Sequence, residues 1–301
     1  MELWIPITIF AAFMQNVRSA LQKHLKGRLS TSGATFSRFV FGAPPACLYL
    51  LGLLLIGGEA LPGTNGPFLL FAAGGGLAQI LGTALLVTMF SFRNFAVGTA
   101  FSKTETVQTA VFGIIILGEG VGAGALVGIL VSLIGVVLIS ITRLDVGWRG
   151  IARQCLEPVA LIGIGAGTMF GISATAYRAA SLSLADGDFL IRAAFTLACV
   201  TTFQTLVMAV YMAWREPGQI AAVFRSWRVA SVVGLSGMLG SAGWFTAMTL
   251  QNAAYVRALG QIELLFTFAV AYLFFRERAT TSELLGILLI SAGILFLVLL
   301  R

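Results

Sequence analysis

The chain has 301 residues, of which 58% are hydrophobic and only 10% are charged, and its net charge is +7 at pH 7. A soluble domain carries about 25% charged residues, so this composition excludes an ordinary soluble protein and indicates a membrane protein. The basic residues sit in short loops, which is typical of membrane orientation and argues against a nucleic-acid-binding surface.

Apolar segments long enough to cross a bilayer follow one another along the whole chain. About 20 residues cross a hydrocarbon core of about 30 Å as a helix, whereas a barrel strand needs only about 10. The predicted fold is therefore an all-α polytopic membrane protein with ten transmembrane helices. The predicted spans are 3–21, 33–56, 67–91, 95–117, 121–141, 158–180, 188–213, 229–250, 253–275 and 281–300.

Prolines and one polar stretch mark breaks and boundaries in the series of predicted spans. Pro44 and Pro45 lie inside the second span and predict a kink, because proline removes backbone hydrogen bonds. Pro158 can begin the sixth span at its first turn, where a missing donor costs nothing. The widest polar stretch is a linker at 142–157, which divides the chain into an N-terminal unit (1–141) and a C-terminal unit (158–301), each with five helices.

The second unit repeats the first. A shift of 158 residues places the segment 73–139 on 231–297 without a gap. Shared apolar composition could align leucines, but it would not align polar residues and glycines, so this is an internal repeat. The aligned pairs include Glu105 with Glu263, Thr109 with Thr267, Glu119 with Glu277, Gly128 with Gly286 and Gly135 with Gly293.

An odd number of helices makes the repeat inverted. After five spans the second unit enters the membrane from the opposite side, as in many secondary transporters that bind substrate in a central cavity at the repeat interface. The outer parts of the repeat agree with this arrangement. Arg18 near the end of span 1 corresponds to Arg178 in span 6, and Arg38 in span 2 corresponds to Arg192 in span 7.

Loop charges indicate an orientation. The connections after odd-numbered spans carry most of the lysines and arginines, and the connections after even-numbered spans carry almost none. The positive-inside rule then places the odd connections in the cytoplasm and both termini outside.

Charged residues inside the spans are the candidates for chemistry. A charge at the bilayer centre costs at least about 2.5 kcal/mol, so such residues usually face the protein interior and mark a pathway. Glu105 and Glu263 lie near mid-span, and their repeat relationship predicts that both lie close to the pseudo-two-fold axis. One of them could bind a cationic group or carry a coupling proton; alternatively, both form structural ion pairs. The possible partners in such pairs are Arg18, Lys103, Arg178 and Arg257.

Neighbouring positions complete the predicted site. Polar span 1 contributes Gln15, and Gln79, Phe170 and Trp244 are further candidates to line the cavity, although aromatic residues in membrane helices more often pack or anchor. Lys103 and Glu105 are two residues apart, about 200° around a helix, and should not share one narrow face.

Two other sets of charged residues have simpler explanations. Arg38 and Arg192, only a few residues into their spans, are explained by snorkelling to the interface. Glu119 and Glu277 lie in tight turns between spans and are expected to hold turn geometry rather than touch substrate.

The chain has no Walker sequence, zinc-ligand spacing or nucleophile elbow. We therefore expect neither an enzyme nor a bound cofactor or metal. The expected partners are a small-molecule substrate, the lipid bilayer and, for a coupled transporter, protons, with the protein acting as a monomer.

Two five-helix units resemble the drug/metabolite transporter superfamily, and specifically its EamA-type ten-helix members. Each repeat there ends with a dipeptide that contains glutamate, followed by a leucine-rich helix with spaced glycines. Here these elements are Gly118-Glu119 with Gly128 and Gly135, and Arg276-Glu277 with Gly286 and Gly293; Arg38-Phe39 also resembles the family pattern.

In size and helix number the chain is most similar to bacterial amino-acid and metabolite exporters of the YddG type. The resemblance implies an inner-membrane protein that works by alternating access around a cavity between spans 1, 3, 4, 6, 8 and 9. It also implies cytoplasmic termini, opposite to the loop charges.

These observations predict a secondary transporter that exports amino acids or similar small metabolites. If transport is proton-coupled, Glu105 or Glu263 is the expected carrier. An uncoupled facilitator, or an exporter of drugs or nucleosides with the same fold, remains the alternative.

Overall fold

The computed structural model describes residues 2–58, 60–92, 99, 101–142, 157–273 and 280–300, and these residues form helices joined by short connections. The predicted linker lies outside the described residues except at its two ends, and so do Arg276, Glu277 and Arg278. The helices are α1 (Trp4–Leu25), α2 (Thr31–Val40), α3 (Ala43–Gly57), α4 (Gly66–Met89), α5 (Glu105–Phe112), α6 (Ala123–Thr142), α7 (Pro158–Ser183), α8 (Phe189–Arg215), α9 (Pro217–Arg225), α10 (Trp227–Leu250), α11 (Ala253–Gly260), α12 (Glu263–Leu273) and α13 (Thr281–Leu299).

The described helices are those of a multi-pass membrane protein. Six helical stretches are long and apolar enough to cross a membrane: Thr31–Gly57, Gly66–Met89, Pro158–Ser183, Phe189–Arg215, Trp227–Leu250 and Thr281–Leu299. Shorter apolar helices cover Glu105–Leu117 and Ala123–Ile139. The number of ten spans itself stays a prediction.

Aliphatic and aromatic side chains project outward along these helices. Leu55, Ile56, Leu70 and Trp214 are each at least 70% exposed. Such exposed apolar surface suits a protein that is solvated by lipid rather than by water.

Prolines interrupt the second span, as predicted. α2 ends at Val40 and α3 begins at Ala43, with Pro44 and Pro45 in the first turn of α3. Proline is tolerated there because the first backbone N–H groups of a helix have no intrahelical partner. The prolines therefore begin a second helix after the break.

Spans 4 and 9 are also interrupted, and here the prediction of continuous helices was wrong. Lys103 and Thr104 form a turn, so that α5 begins at Glu105. In the second unit α11 ends at Gly260, and α12 begins at Glu263. Each repeat-related glutamate thus occupies the first turn of a helix in the middle of its predicted span.

Residue 260 shows why glycine stands at the second interruption. A Cβ atom there would lie 2.5 Å from the Trp244 ring, so any larger residue would displace the indole. Gly260 therefore lets α11 approach α10 closely at the level of the glutamates.

α6 and α13, the last helices of the two units, cross through their glycines. A Cβ atom on Gly128 would lie 2.6 Å from the carbonyl oxygen of Gly293, and one on Gly135 would lie 2.6 Å from the carbonyl oxygen of Gly286. The earlier residue of one helix meets the later residue of the other, so the helices run antiparallel. Because Gly128 corresponds to Gly286 and Gly135 to Gly293, the two contacts are exchanged by the repeat, as an inverted repeat requires.

The other main helix pairs follow the same relationship. α1 packs along α10, and α4 packs along α7, with small residues at both crossings. A Cβ atom on Gly243 would lie 2.8 Å from Ala11, and one on Gly82 would lie 3.0 Å from the Phe170 ring. These two helix pairs, together with α2, α5, α6, α11 and α12, surround the candidate site.

Candidate functional site

A cavity of about 250 Å³ lies between the two units. This volume is close to the lower end of the range of about 300–1,000 Å³ for small-molecule sites. Eight of the nine residues predicted from the sequence line it: Gln15, Arg18, Gln79, Lys103, Glu105, Phe170, Trp244 and Glu263. The structure places the ninth, Arg178, in a separate cluster.

The Glu263 carboxylate, which belongs to the second unit, is held by two side chains of the first unit. Its Oε1 forms an ion pair with Lys103 of the first unit, and its Oε2 accepts a hydrogen bond of 2.8 Å from Gln15. Gln15 in turn accepts a hydrogen bond of 3.1 Å from Trp244 Nε1. The polar residues of span 1 thus position this carboxylate within the cavity.

Glu105 makes the second ion pair between the units. Its Oε1 lies 3.5 Å from Nη1 of Arg257, and the Arg257 guanidinium lies 4.8 Å from the centre of the Trp244 ring. Lys103 and Glu105 both line the cavity, which was not expected from the prediction that they do not share one narrow helix face. It assumed an unbroken helix, whereas Lys103 lies in the turn before α5.

Arg38 does not snorkel to the interface. Only 5% of the residue is exposed, and it lines the cavity. Its Nη1 donates to Thr83 Oγ1 at 3.0 Å, and its Nη2 donates to Ser241 Oγ at 3.4 Å. Thr83 and Ser241 are repeat-related by the shift of 158 residues. Arg38 therefore bridges the two units at equivalent positions, whereas its counterpart Arg192 is not among the lining residues.

Gln79 belongs to a buried hydrogen-bond network on one wall of the cavity. Its Oε1 accepts bonds of 3.0 Å from the Tyr177 hydroxyl and from Gln204 Nε2. The Tyr177 ring stacks on Phe245 with centroids 4.3 Å apart. This network fixes the wall between α4, α7 and α8 in one arrangement.

Arg178 forms a cluster with Glu119 and the C-terminal end of α10. Its Nε and Nη2 donate to the Glu119 carboxylate, at distances of 2.8 to 3.0 Å. Its Nη1 donates to the carbonyl oxygens of Met248 at 2.6 Å and Gln251 at 2.8 Å. This Arg178 cluster ties α7, α10 and the turn before α6 together at the end of the molecule where spans 4, 6 and 8 finish. Glu119 thus lies in a turn outside the cavity lining.

Some lining residues were missed or undervalued in the sequence. Arg257 appeared there only as a possible ion-pair partner, and Arg38 was assigned to the interface. Asn16, which donates to the Glu263 carbonyl oxygen at 2.8 Å, was recognised only as part of a polar span. The available signal was that Arg257, like the two glutamates, is a charge within a predicted apolar span.

Comparison with known proteins agrees with this architecture. A sequence model of the EamA-like transporter family matches residues 2–141 and again residues 158–299. The chain belongs to the EamA-like transporter family. EamA-like transporters form part of the drug/metabolite transporter superfamily, so this protein is a multi-pass membrane protein whose family moves small solutes rather than catalysing reactions.

The fold of this EamA-like transporter also occurs among solved structures. One crystal structure, titled only as that of a protein, superposes with a TM-score of 0.73 at 15% sequence identity, over 99% of this chain and 97% of the other. At this identity the likeness concerns the fold alone. No curated protein sequence matches the chain.

Proposed function

We propose that this EamA-like transporter is a secondary transporter that exports amino acids or similar small metabolites across a bacterial inner membrane by alternating access. The main support for the proposal comes from two ion pairs, Lys103–Glu263 and Arg257–Glu105, which both line one cavity at the interface of the two repeats. Charges of both signs at the substrate level suit a solute that carries a carboxylate and an ammonium group. The sequence resemblance to YddG-type exporters supports export and amino acids.

The interrupted helices support the same function. In many transporters with inverted repeats, broken helices form the substrate site, and their half-helix ends face charged groups of substrates and ions. Here α5 and α12 begin at Glu105 and Glu263, which line the cavity. A solute that binds there replaces or rearranges contacts between the units, because each ion pair joins one unit to the other.

Unequal environments of repeat-related arginines support alternating access. Within the described part of the chain, Arg178 is engaged by Glu119 and by backbone carbonyl groups, whereas Arg18 lines the cavity and its buried Nε has no partner. Two copies of one unit in different local states are expected when one face of the molecule is closed. Exchange of these states between the units would close the opposite face.

An uncoupled facilitator is a second candidate. Each glutamate already forms an ion pair with a cationic side chain, so its partner within the protein is not a transported proton. A pH gradient separates the two mechanisms. If Glu105 or Glu263 carries a proton, an imposed gradient drives uphill transport, and the Glu→Gln variant loses this driving effect. A facilitator only equilibrates its solute.

The test of transport is counterflow in proteoliposomes that contain a mixed amino-acid pool, followed by mass spectrometry. We expect selected solutes to exchange faster than in protein-free liposomes and the exchange to slow in Glu105→Gln and Glu263→Gln. Glu157→Gln is the matched control, because Glu157 precedes α7 and makes no side-chain capping bond. A folded protein that exchanges no amino acid would contradict the proposal; movement of nucleosides or cationic dyes instead would favour the alternative substrates.

A further inference from the structure

The charges around the cavity do not balance. Its described lining contains four cationic side chains and two carboxylates. Both carboxylates are already paired, Glu263 with Lys103 and Glu105 with Arg257. The remaining two cations are arginines that, within the described part of the chain, form no salt bridge. The cavity therefore carries an excess of positive charge that its own side chains do not neutralise.

These two arginines, Arg18 and Arg38, lie side by side. A Cβ atom on Gly237 would lie 3.2 Å from Arg38 Cγ and 3.4 Å from Arg18 Cδ. The aliphatic parts of both arginine side chains therefore pack against the same glycine of α10. Arg18 is 4% exposed and Arg38 is 5% exposed. Among the described residues, Arg38 donates only to neutral hydroxyl groups, Arg18 Nη2 donates to the Ser19 hydroxyl at 3.5 Å, and Arg18 Nε has no hydrogen-bond partner.

Two adjacent buried guanidinium groups repel each other and have lost most of their hydration. Such an arrangement is stabilised by an anion that accepts hydrogen bonds from both, and the planar fork of arginine fits a carboxylate through two parallel bonds. We propose that Arg18 and Arg38 form the docking site for the carboxylate groups of the transported solute, and that this solute is a small dicarboxylate with net negative charge. The inference rests on the proposed transport function and specifies the substrate class of the same cavity.

Within the proposed class of amino acids and similar small metabolites, the pairing of the glutamates favours solutes with a second carboxylate over neutral amino acids. The ammonium group of a zwitterion needs a carboxylate, but Glu105 and Glu263 are occupied by Arg257 and Lys103. A neutral amino acid has to break one of these pairs, whereas a second carboxylate meets the excess positive charge directly. An acidic amino acid has two carboxylates and satisfies the same arginines.

The test is binding to the purified full-length protein, measured as a shift in its unfolding temperature with succinate, glutamate, leucine or inorganic phosphate at equal ionic strength. We expect succinate and glutamate to stabilise the protein at lower concentrations than leucine. Arg18→Gln and Arg38→Gln should each weaken succinate binding about tenfold or more, because each removes charge-assisted hydrogen bonds. Arg192→Gln, which changes the counterpart of Arg38 outside the cavity lining, should bind succinate normally.

Several results would overturn the assignment. Equal or stronger stabilisation by leucine would show a zwitterion site, and an effect of phosphate alone would exclude dicarboxylate recognition. Unchanged succinate binding in both arginine variants would place the anion elsewhere. If these variants do not fold, the preference of the unmodified protein for succinate over leucine still decides.

Transport measurements separate this inference from the proposed function. Counterflow of leucine without succinate would leave transport standing and refute the anion site. Arginine-dependent succinate binding without any flux would support the site and refute transport.

Discussion

Replacing Arg178 by glutamine should loosen the end of the molecule that the Arg178 cluster holds together. The change removes the paired hydrogen bonds to Glu119 and the bonds to the carbonyl oxygens of Met248 and Gln251. Bonds from a charged group contribute about 1.5–3 kcal/mol each when they are buried. The side chains of Arg178 and Glu119 are 12% and 26% exposed, so water replaces part of this stabilisation.

We therefore expect a net loss of about 3 kcal/mol from the conformation in which this end is closed, which corresponds to about a hundredfold change in its ratio to open conformations. Glu119→Gln should have a smaller effect, because the two carbonyl contacts of Arg178 remain. We expect the ion pair with Glu119 to contribute the smaller share of this stabilisation, because the Glu119 carboxylate is more exposed to water than the Arg178 guanidinium. The carbonyl contacts, at the end of α10, contribute the larger share.

Pulsed electron resonance between two spin labels measures this opening. In a background without Cys47, Cys155 and Cys199, labels at Gly120→Cys and Ala185→Cys report the distance between the turn before α6 and the end of α7. Both positions are exposed. Arg178→Gln should add a population at longer distance.

Arg192→Gln is the matched control for this measurement, since Arg192 lies near the start of α8 and its Nε has no hydrogen-bond partner among the residues that the structure describes. It should leave the distance distribution unchanged. The same distribution in Arg178→Gln and in the parent protein would refute the assignment of a closing role to the cluster.

Three further changes test the packing and the ion pairs through the unfolding temperature in detergent. Gly135→Leu should destabilise the protein by about 1–3 kcal/mol or more, because even a Cβ atom overlaps the facing helix, whereas Gly52→Leu, with open space around it, should have little effect. Lys103→Met should lower the free energy of unfolding by about 3–5 kcal/mol, because it leaves the buried Glu263 unpaired. The added change Glu263→Gln should restore most of this loss, and no restoration would show that the two charges are not coupled. Asn65→Ala should cost about 1 kcal/mol, since its side chain caps α4 through a hydrogen bond of 2.8 Å, and an unchanged unfolding temperature would contradict that role.

The sequence was informative where local chemistry or the repeat decides the structure. Pro44 and Pro45 predicted the interruption between α2 and α3, because a missing N–H group acts wherever the proline stands. The alignment of Glu105 with Glu263 predicted that both would approach one axis, and both line the same cavity. The aligned glycines in the last span of each unit lie where α6 and α13 cross closely.

Other features depend on contacts between distant segments. The turn at Lys103 has no proline or glycine at its centre, so the apolar pattern indicated one unbroken span. The burial of Arg38 depends on hydroxyl groups of α4 and α10, which are far away in the chain. The pairing of Lys103 with Glu263 and of Arg257 with Glu105 was one of several possible combinations, and only the packing of the helices selects it.

Chemical modification of the cavity during transport tests the central claim most directly, namely that solute passes through this cavity. A protein whose single cysteine is Ser19→Cys carries the thiol at a lining position, and one whose single cysteine is Ala185→Cys carries it at an exposed position in the connection after α7, outside the cavity lining. We predict that a charged thiosulfonate reagent stops counterflow in the Ser19→Cys protein, that the transported solute slows this reaction, and that the Ala185→Cys protein is unaffected. Full modification of the Ser19→Cys protein without any change in the rate of counterflow would contradict the account.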